Sequence, residues 1–568
     1  MAAKTYRDVK ADAHVVILDR FPTIGGVWAE HQLYPSLKTN NILGTYEYSD
    51  FPMTGENSFG VKPGEHIPGH VVHAYLKKFA QTFGIYDKCR FGEELQTARQ
   101  IESGGWELTI QGERSYRLRT HKLILATGLH STPFLPTIPG AAESSIPIFH
   151  GSGLLKHSEN LFTNAQSVAI LGAAKSAWDI AYTFASRGIH VDMIIRESGR
   201  GPVWMAPPSG TPLKGFQIEK FVSTRFFTWF SKCSWSDADG FTGVRGFLHG
   251  TAVGRAMVKT FWRILGNGIL TLHAYDKHPE TAKLKPWAEA PWVACGLSSL
   301  NYPTNFFDLV KEGKITIYIA DIDQLSGKEI NLTSTKEGKT TVTADALICA
   351  TGFQFLPSVT FLSPSGKPLD PSTIGIPHHS ESEESKHLIE EVDKEILSRF
   401  PKLKDQPKVN PNLKPLDREV KELNQPYVLY RFMVPPAFIN DRSLAFCGII
   451  QAILTPLGTQ VQGLWLAAYL TGKLELKDKD DQAVKKEAML HARFGKLKCP
   501  RGNGSLWPRI VFDSMPYFDQ LLHDLGMNPW RKRGVLKESF EPYGVTDYVG
   551  LVEEWKQQQG EVSNKQQE

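Results

Sequence analysis

Residues 166–198, QSVAILGAAKSAWDIAYTFASRGIHVDMIIRES, read as one strand–turn–helix–strand unit. Ser167 to Leu171 is a short apolar run of strand length. Gly172 opens a turn of small residues, Ser176 to Arg187 carries apolar residues at helical spacing, and Gly188 stops it. His190 to Ile195 is a second buried strand. Two parallel strands joined by a helix commit the chain to an α/β fold, with helices covering the sheet. The turn also bears on chemistry. Small residues let backbone N–H groups and a helix N-terminus face a pyrophosphate. Here the turn reads GAAKSA, with alanines at the second and third glycine positions, so an ordinary crossover fits as well. Arg196 stands where an acid would hold ribose hydroxyls. A cation there suits a 2′-phosphate and hence NADP, and Lys175 is placed to assist at the phosphates. A solvated arginine at a strand end is the plain alternative. Gly172, Lys175, Ser176 and Arg196 are the candidate contacts to that coenzyme.

Two segments flank this unit and look alike. Lys122 to Gly140 and Ala346 to Pro357 each run from an apolar strand into Ala-Thr-Gly. Each strand should end under a nucleotide, with the glycine permitting close backbone approach. Thr127, Gly128, Thr351 and Gly352 are therefore candidate cofactor residues. Such a pair indicates two chain crossings between an FAD domain and an inserted NADPH domain.

The N-terminus supplies part of a further unit. Ala2, Tyr6 and Val9 lie at helical spacing, His14 to Leu18 (HVVIL) reads as a buried strand, and Asp19 follows it. Helix, strand and acid form the back half of a dinucleotide-binding unit.

Net charge is +4 over 568 residues, too weak for a nucleic-acid partner. The six cysteines show no CxxC spacing, which excludes the usual zinc and dithiol signatures and fits a reducing, cytoplasmic setting. No metal site is expected. No signal peptide is visible. The apolar stretch Gly448 to Leu470 is interrupted by Gln451, Pro456, Gln460 and Gln462, so it reads as strand, loop and buried helix rather than a membrane span.

Several motifs, spread over most of the chain, resemble those of the flavin-containing monooxygenases with two dinucleotide domains, the group of the dimethylaniline monooxygenases. GGVW (Gly25 to Trp28) is similar to the GG-x-W loop, and YPSLKTNN (Tyr34 to Asn41) to the Y-x-S-x-x-x-N stretch. EYSDFP (Glu47 to Pro52) follows as in that family. LATG and CATGF resemble its two crossings, and FCGIIQAILTPLGTQVQGLW (Phe446 to Trp465) its last strand and helix. YFDQLLHDLGMNP and PYGVTDYVGL are similar to its closing helix and tail.

The resemblance implies a fold and a chemistry. The fold class is α/β, two Rossmann-like dinucleotide-binding domains with the NADPH domain inserted in the FAD domain. The expected limits are residues 1–150 for the first part of the FAD domain and 151–345 for the NADPH domain, with an aromatic-rich insertion over 201–300. The second part of the FAD domain follows over 346–556, then a disordered tail over 557–568. The implied cofactors are FAD and NADP. The implied reaction passes hydride from NADPH to flavin, adds molecular oxygen to give a C4a-hydroperoxyflavin, and transfers one oxygen to a small-molecule substrate, in specialised metabolism. Asn40 is the implied catalytic residue, holding the flavin edge. Asp19 would bind the adenosine ribose, and Gly26, Val27, Trp28, Asn41 and Gln460 would contact the cofactor. The plainer alternatives are turn asparagines at Asn40 and Asn41, an exposed strand-end acid at Asp19, and a core tryptophan at Trp28.

Two departures from the family pattern matter. The front half of the first unit, a strand and a Gly-x-Gly-x-x-Gly turn, does not stand ahead of the first helix. The expectation is a reading frame extending upstream by about 10 to 25 residues. On that expectation the sheet has a vacant strand position, the first helix is uncapped near Met1, and the chain as it stands binds FAD poorly. Second, the F-x-G-x-x-x-H fingerprint is half present. Phe149 and Gly151 fit, but Leu155 holds the histidine position, with His157 two residues later and His150 as a substitute. That weakens a Baeyer–Villiger reading and leaves heteroatom or carbon oxygenation open.

Two other functions compete. A pyridine-nucleotide-dependent flavin reductase needs a cysteine pair after the first cofactor helix, and Cys89 has no such partner. A non-enzymatic, FAD-deficient homologue is the other. Between Gly201 and Gly268, aromatics interleave with Lys220, Arg225, Lys232, Arg245, Arg255, Lys259 and Arg263. That pattern suits a substrate lid, a membrane-surface patch or plain core. Ser380 to Gln425 is polar and reads as a solvated excursion.

Overall fold

The structure, a computed structural model, describes residues 1–207, 217–235, 237–296, 298–380, 382–417, 423–476, 480–499 and 506–565, with side chains to 560. The first domain opens with helix α1 (Ala2–Val9), strand β1 (Ile17–Asp19) and strand β2 (Lys38–Ile42). β1 pairs in parallel with β3 (Cys89–Phe91), Ile17 opposite Cys89. β4 (Leu123–Leu125) pairs in parallel with β12 (Leu444–Phe446), Leu123 opposite Leu444. Among the described residues no ladder joins these two pairs. With a neighbour on one side only, β1 is shorter than the expected His14 to Leu18, and His14 to Val16 stay outside the ladder. α1 begins at Ala2 without a side-chain cap.

α1 lies on helix α6 (Thr455–Leu470). Gly463 lets the two approach, since a Cβ there would sit 3.3 Å from Thr5 Oγ1. α6 is buried on nearly every side, from Leu457 to Leu470, which is why its sequence lacks a polar face. Among the described residues no helix is long and apolar enough to cross a membrane.

The chain leaves this domain through β5 (Thr132–Pro133) and returns through β11 (Phe353–Gln354). These two segments pair antiparallel, Phe353 against Pro133 and Gln354 against Thr132. Between them stands a five-stranded parallel sheet in the order β6 (Ile148–His150), β10 (Leu347–Cys349), β7 (Ser167–Leu171), β8 (His190–Ile195), β9 (Ile315–Ile319). The crossings therefore fall at the β5–β11 pair rather than at 150 and 345. β7 and β8 keep the bounds read from the sequence, in register from Ser167–His190 to Leu171–Ile194. Helix α2 (Lys175–Ala185) covers the sheet with Trp178 and Phe184, both at 0% exposure.

Part of the aromatic insertion is core. Trp204, Val222, Phe227 and Trp262 pack with Val511 and Phe512 from the C-terminal segment. Helix α4 (Ala252–His273), which follows the short helix α3 (Ile218–Val222), also exposes Val253, Met257, Ile264 and Leu272. The region 380–425 is not simply solvated. Helix α5 (Glu383–Arg399) buries Val392 and Ile396 and is ion-paired to helix α7 (Asp481–Lys498), through Arg493 and Asp393 among others. The expected tail disorder gives way to helix α8 (Leu551–Lys565) over residues 557–565; residues 566–568 lie outside the described residues.

Candidate functional site

Strand β2, KTNNI, sets the site because alternate side chains point to opposite sides. Thr39 and Asn41 are buried and Asn40 is half-buried, and Asn40, Asn41 and Ile42 line a cavity of about 100 Å³. The strand is pinned from several directions. Asn301 donates to the Thr39 carbonyl (2.9 Å), and Thr39 Oγ accepts from the Ile67 N–H (3.0 Å). Glu219, on α3, accepts from the Asn41 amide, the Thr45 hydroxyl and, at 3.2 Å, the Ile42 N–H. Burial pushes the Glu219 carboxyl above the usual carboxylate range against the pull of these donors. Asn40 Oδ1 accepts from the Ser299 N–H (3.3 Å). The remaining walls are largely apolar, with Val222, Phe227, Leu265, Ile453 and Phe512 among them.

Other residues were tested for their fit to FAD. Gly128 follows β4 and Gly448 follows β12, so two glycines sit side by side at the carboxyl ends of paired strands. Both have left-handed backbones (φ 65° and 78°), as has Gly26 (φ 56°), and nothing lies within 4 Å of where a Cβ would stand. A left-handed turn with open space beside it is what close backbone approach to a nucleotide requires. Asp19 ends β1; its carboxylate accepts from the Phe21 N–H (3.0 Å), and burial pushes its pKa up. His31 packs on Phe21 (4.5 Å between centroids), and both its buried ring nitrogens lack hydrogen-bond partners among the described residues. Asp19, His31, Gly26, Gly128 and Gly448 fit the ribose and flavin ends of FAD. Thr127, next to Gly128, is exposed, and Val27 is 45% exposed.

For NADP, the turn before α2 fits. Gly172 must be glycine, because a Cβ would come within 2.6 Å of the Ala350 carbonyl. No side chain caps α2, and Ser176 in its first turn is exposed.

Several expected ligands have other work. Lys175 is ion-paired with Asp179 and bonded to Asn301 (2.9 Å), and Asp179 also accepts from Tyr34 (3.0 Å) and Tyr302 (2.9 Å). The ammonium of Lys175 is thus held within the inserted domain, and it is Asp179 that reaches Tyr34 of the first domain. Arg196 donates to the Lys414 and Pro415 carbonyls (3.3 and 3.2 Å) and to Ser198, so a loop covers it. The Asn41 amide is consumed by Glu219 and the Ile453 carbonyl (2.8 Å). Gln460 ties α6 to Ser49 and Asp50 and is buried. Trp28 donates to the Tyr46 hydroxyl (3.1 Å) and packs in a core cluster. Thr351 donates to the Phe134 carbonyl, and the Gly352 carbonyl accepts from Phe134 N–H (3.0 Å), so both brace the crossing. In each case a long-range partner, invisible in sequence, claims the polar group. His31 and Gly448 were not among the expected residues. Gly448 could have been found, since it follows its strand as Gly128 follows its own.

A five-stranded parallel sheet inserted in a second α/β unit, with an asparagine at a largely apolar cavity, is the arrangement of a two-domain flavin oxygenase. The chain belongs to the FAD-dependent monooxygenase family. It is 30% identical over 567 residues to the FAD-dependent monooxygenase DEP4 of Alternaria brassicicola, covering 98% of this chain and 92% of that one. It is 30% identical over 584 residues to FAD-dependent monooxygenase resA of Aspergillus sclerotiorum, covering 98% and 96%. Residues 10–220 match the pyridine nucleotide-disulphide oxidoreductase family. In fold it is similar to a cyclohexanone monooxygenase from Rhodococcus sp. Phi1 bound to NADP+, with TM-score 0.58, 14% identity, and coverage of 92% of this chain and 94% of that chain. It is also similar to the S-allyl-L-cysteine S-oxygenase of Allium sativum, with TM-score 0.51, 15% identity, and coverage of 93% and 87%.

Proposed function

We propose that this FAD-dependent monooxygenase uses NADPH and molecular oxygen to oxygenate a small, largely apolar organic molecule held in the cavity beside Asn40. FAD, when bound, supplies hydride acceptance and oxygen activation. The chain's own residues bind, orient and exclude water. Asp19 and His31 hold the ribose end, and Gly26, Gly128 and Gly448 admit the cofactor's backbone contacts. Ser176 and the uncapped start of α2 receive the coenzyme's pyrophosphate. The Asn40 amide directs its polar atoms at the reacting edge, and apolar walls keep the site dry. One observation carries the reading: both paired asparagines line the cavity, but the Asn41 amide nitrogen is held by Glu219 and the Ile453 carbonyl, and the cavity's walls come from β2, the insertion and the C-terminal segment together.

Contact with a membrane surface and residence in the cytoplasm belong to the same proposal. The contact is supported by the exposed apolar residues of α4 beside Arg255, Lys259 and Arg263, with no acid anywhere on that helix.

The test is an absorption spectrum of the purified protein, followed by NADPH-dependent oxygen uptake with a panel of sulfides, amines and ketones. Products one oxygen heavier support the proposal. A colourless protein without NADPH oxidation, even with added FAD, overturns it in favour of a non-enzymatic role.

A further inference from the structure

Behind the wall formed by Trp204, Trp262 and Ala290 lies a second cavity of about 360 Å³. We propose that it is a binding site for an organic anion, an aromatic carboxylate whose charge meets Lys232 and whose ring lies among tryptophans. The inference rests on none of the flavin chemistry above.

Lys232 is the centre of the argument. It lines the cavity and is only 7% exposed. Its ammonium has no hydrogen-bond or carboxylate partner among the described residues. Its one recorded neighbour of note is the Trp292 ring, 4.7 Å from Nζ to centroid. A cation–π contact offsets part of the cost of burying an ammonium, but a buried charge ordinarily keeps an anion. The buried acid that acts on it, Asp513, bonds Lys498 through Oδ1 (2.7 Å) and makes no hydrogen bond to Lys232. Burial and Lys498 push Lys232 down to about 8. An arriving carboxylate relieves both effects.

The other groups around the cavity point the same way. Lys259 and Arg263 stand exposed on successive turns of α4 and have no partners among the described residues. Arg255 is held by the Gly250 carbonyl (2.7 Å), and Lys402 by Asp405 (2.9 Å). His249 is neutral, since burial pushes it to about 4 and its Nε2 meets the Trp229 carbonyl (2.9 Å). Glu289, exposed, is the one carboxylate in the lining. The cavity therefore has a cationic mouth and a buried cation, with Trp204, Trp262, Trp287 and Trp292 between them. That combination suits a flat, charged ligand better than a bare inorganic ion, which gains nothing from aromatic walls.

The experiment is equilibrium dialysis of the purified full chain with 2-naphthoate and with neutral 2-naphthamide. The expected result is one saturable naphthoate site, with the amide bound more weakly. Lys232→Met, which keeps the side-chain volume, should weaken naphthoate by about 10-fold or more and leave the amide unchanged. Asn267→Trp, at the exposed mouth, should block naphthoate, whereas Leu265→Trp, which fills the first cavity, should not. Equal naphthoate affinity in Lys232→Met, equal binding of acid and amide by the unmodified protein, or loss of binding in Leu265→Trp alone overturns the proposal. Should Lys232→Met not fold, the Asn267→Trp and Leu265→Trp pair decides.

Discussion

The Asn41 amide donates to the carboxylate of Glu219, 178 residues away in the sequence. This bond fastens the insertion to the strand that presents Asn40, so the insertion forms a wall of the site and fixes its floor. Glu219→Ala would leave the Ile42 N–H and one Asn41 donor without their acceptor, whereas the Thr45 hydroxyl keeps the Ile42 carbonyl (2.8 Å). Urea unfolding should show a loss of about 1–3 kcal/mol. Glu219→Gln keeps an oxygen for these donors and should lose less. Identical midpoints for both variants and the unmodified protein would remove Glu219 from the account.

Asn40→Ala should leave flavin content unchanged and uncouple the reaction. NADPH oxidation continues, oxygenated product falls by about 10-fold or more, and hydrogen peroxide rises to match. The measurement is the ratio of product to NADPH consumed. An unchanged ratio would leave Asn40 with only its place in strand β2.

Arg196→Ala separates two roles. If Arg196 selects the 2′-phosphate, the KM for NADPH should rise about 10-fold while that for NADH and both kcat values stay level, as expected for lost ground-state binding. A parallel rise for both coenzymes would mean that Arg196 only clamps the loop at Lys414 and Pro415.

Arg225 is fully buried between Asp519 and Glu538, both also at 0% side-chain exposure. Arg225→Met strands the buried Asp519 carboxylate, while Glu538 keeps the Tyr543 hydroxyl and the Lys532 N–H, and should cost about 3–5 kcal/mol, read from thermal or urea unfolding. Burial already pushes Asp519 up to about 7. Losing the arginine raises it further, and a raised carboxylate favours the fold at low pH and penalises it as pH rises. The deficit should therefore be smaller at pH 5 than at pH 8. A deficit independent of pH would show that Asp519 finds another partner.

Binding of 2-naphthoate should depend on pH through Lys232, which titrates near 8 in the free protein. Affinity should be level below pH 7 and fall as the pH passes 8, because the neutral amine no longer attracts the anion. Lys498, Lys402, Cys499 and Asp513 act on the same group. Lys232→Met should flatten the profile, and an unchanged profile in that variant would place the titration elsewhere.

What could be read from the sequence divides along a physical line. β7 and β8 were legible to the residue because strands buried on both faces are mostly apolar, here broken only by Ser167, His190 and Asp192. α1 and α2 were legible from helical spacing. The polar ligands were not. Lys175, Asn41, Arg196 and Gln460 announce charge or amide chemistry, but their partners lie tens to hundreds of residues away, and the partner decides the role. Val392 and Ile396 were hidden by the polar residues around them. Lys232 had been one cation among seven in an aromatic stretch; only the fold set it apart as unpaired and buried.

The short pairing of Thr132–Pro133 with Phe353–Gln354 has a mechanical consequence. A domain hung on one strand can swivel about any axis. Here two antiparallel strands cross side by side, bonded to each other and braced by Thr351 and Phe134. Twisting the inserted domain against its host would shear that ladder, whereas flexing across the plane of the pair leaves its hydrogen bonds intact. The seam between the two domains is fastened again by the Tyr34–Asp179 and Asn41–Glu219 bonds, so a displacement of the inserted domain has to part those bonds as well as the ladder.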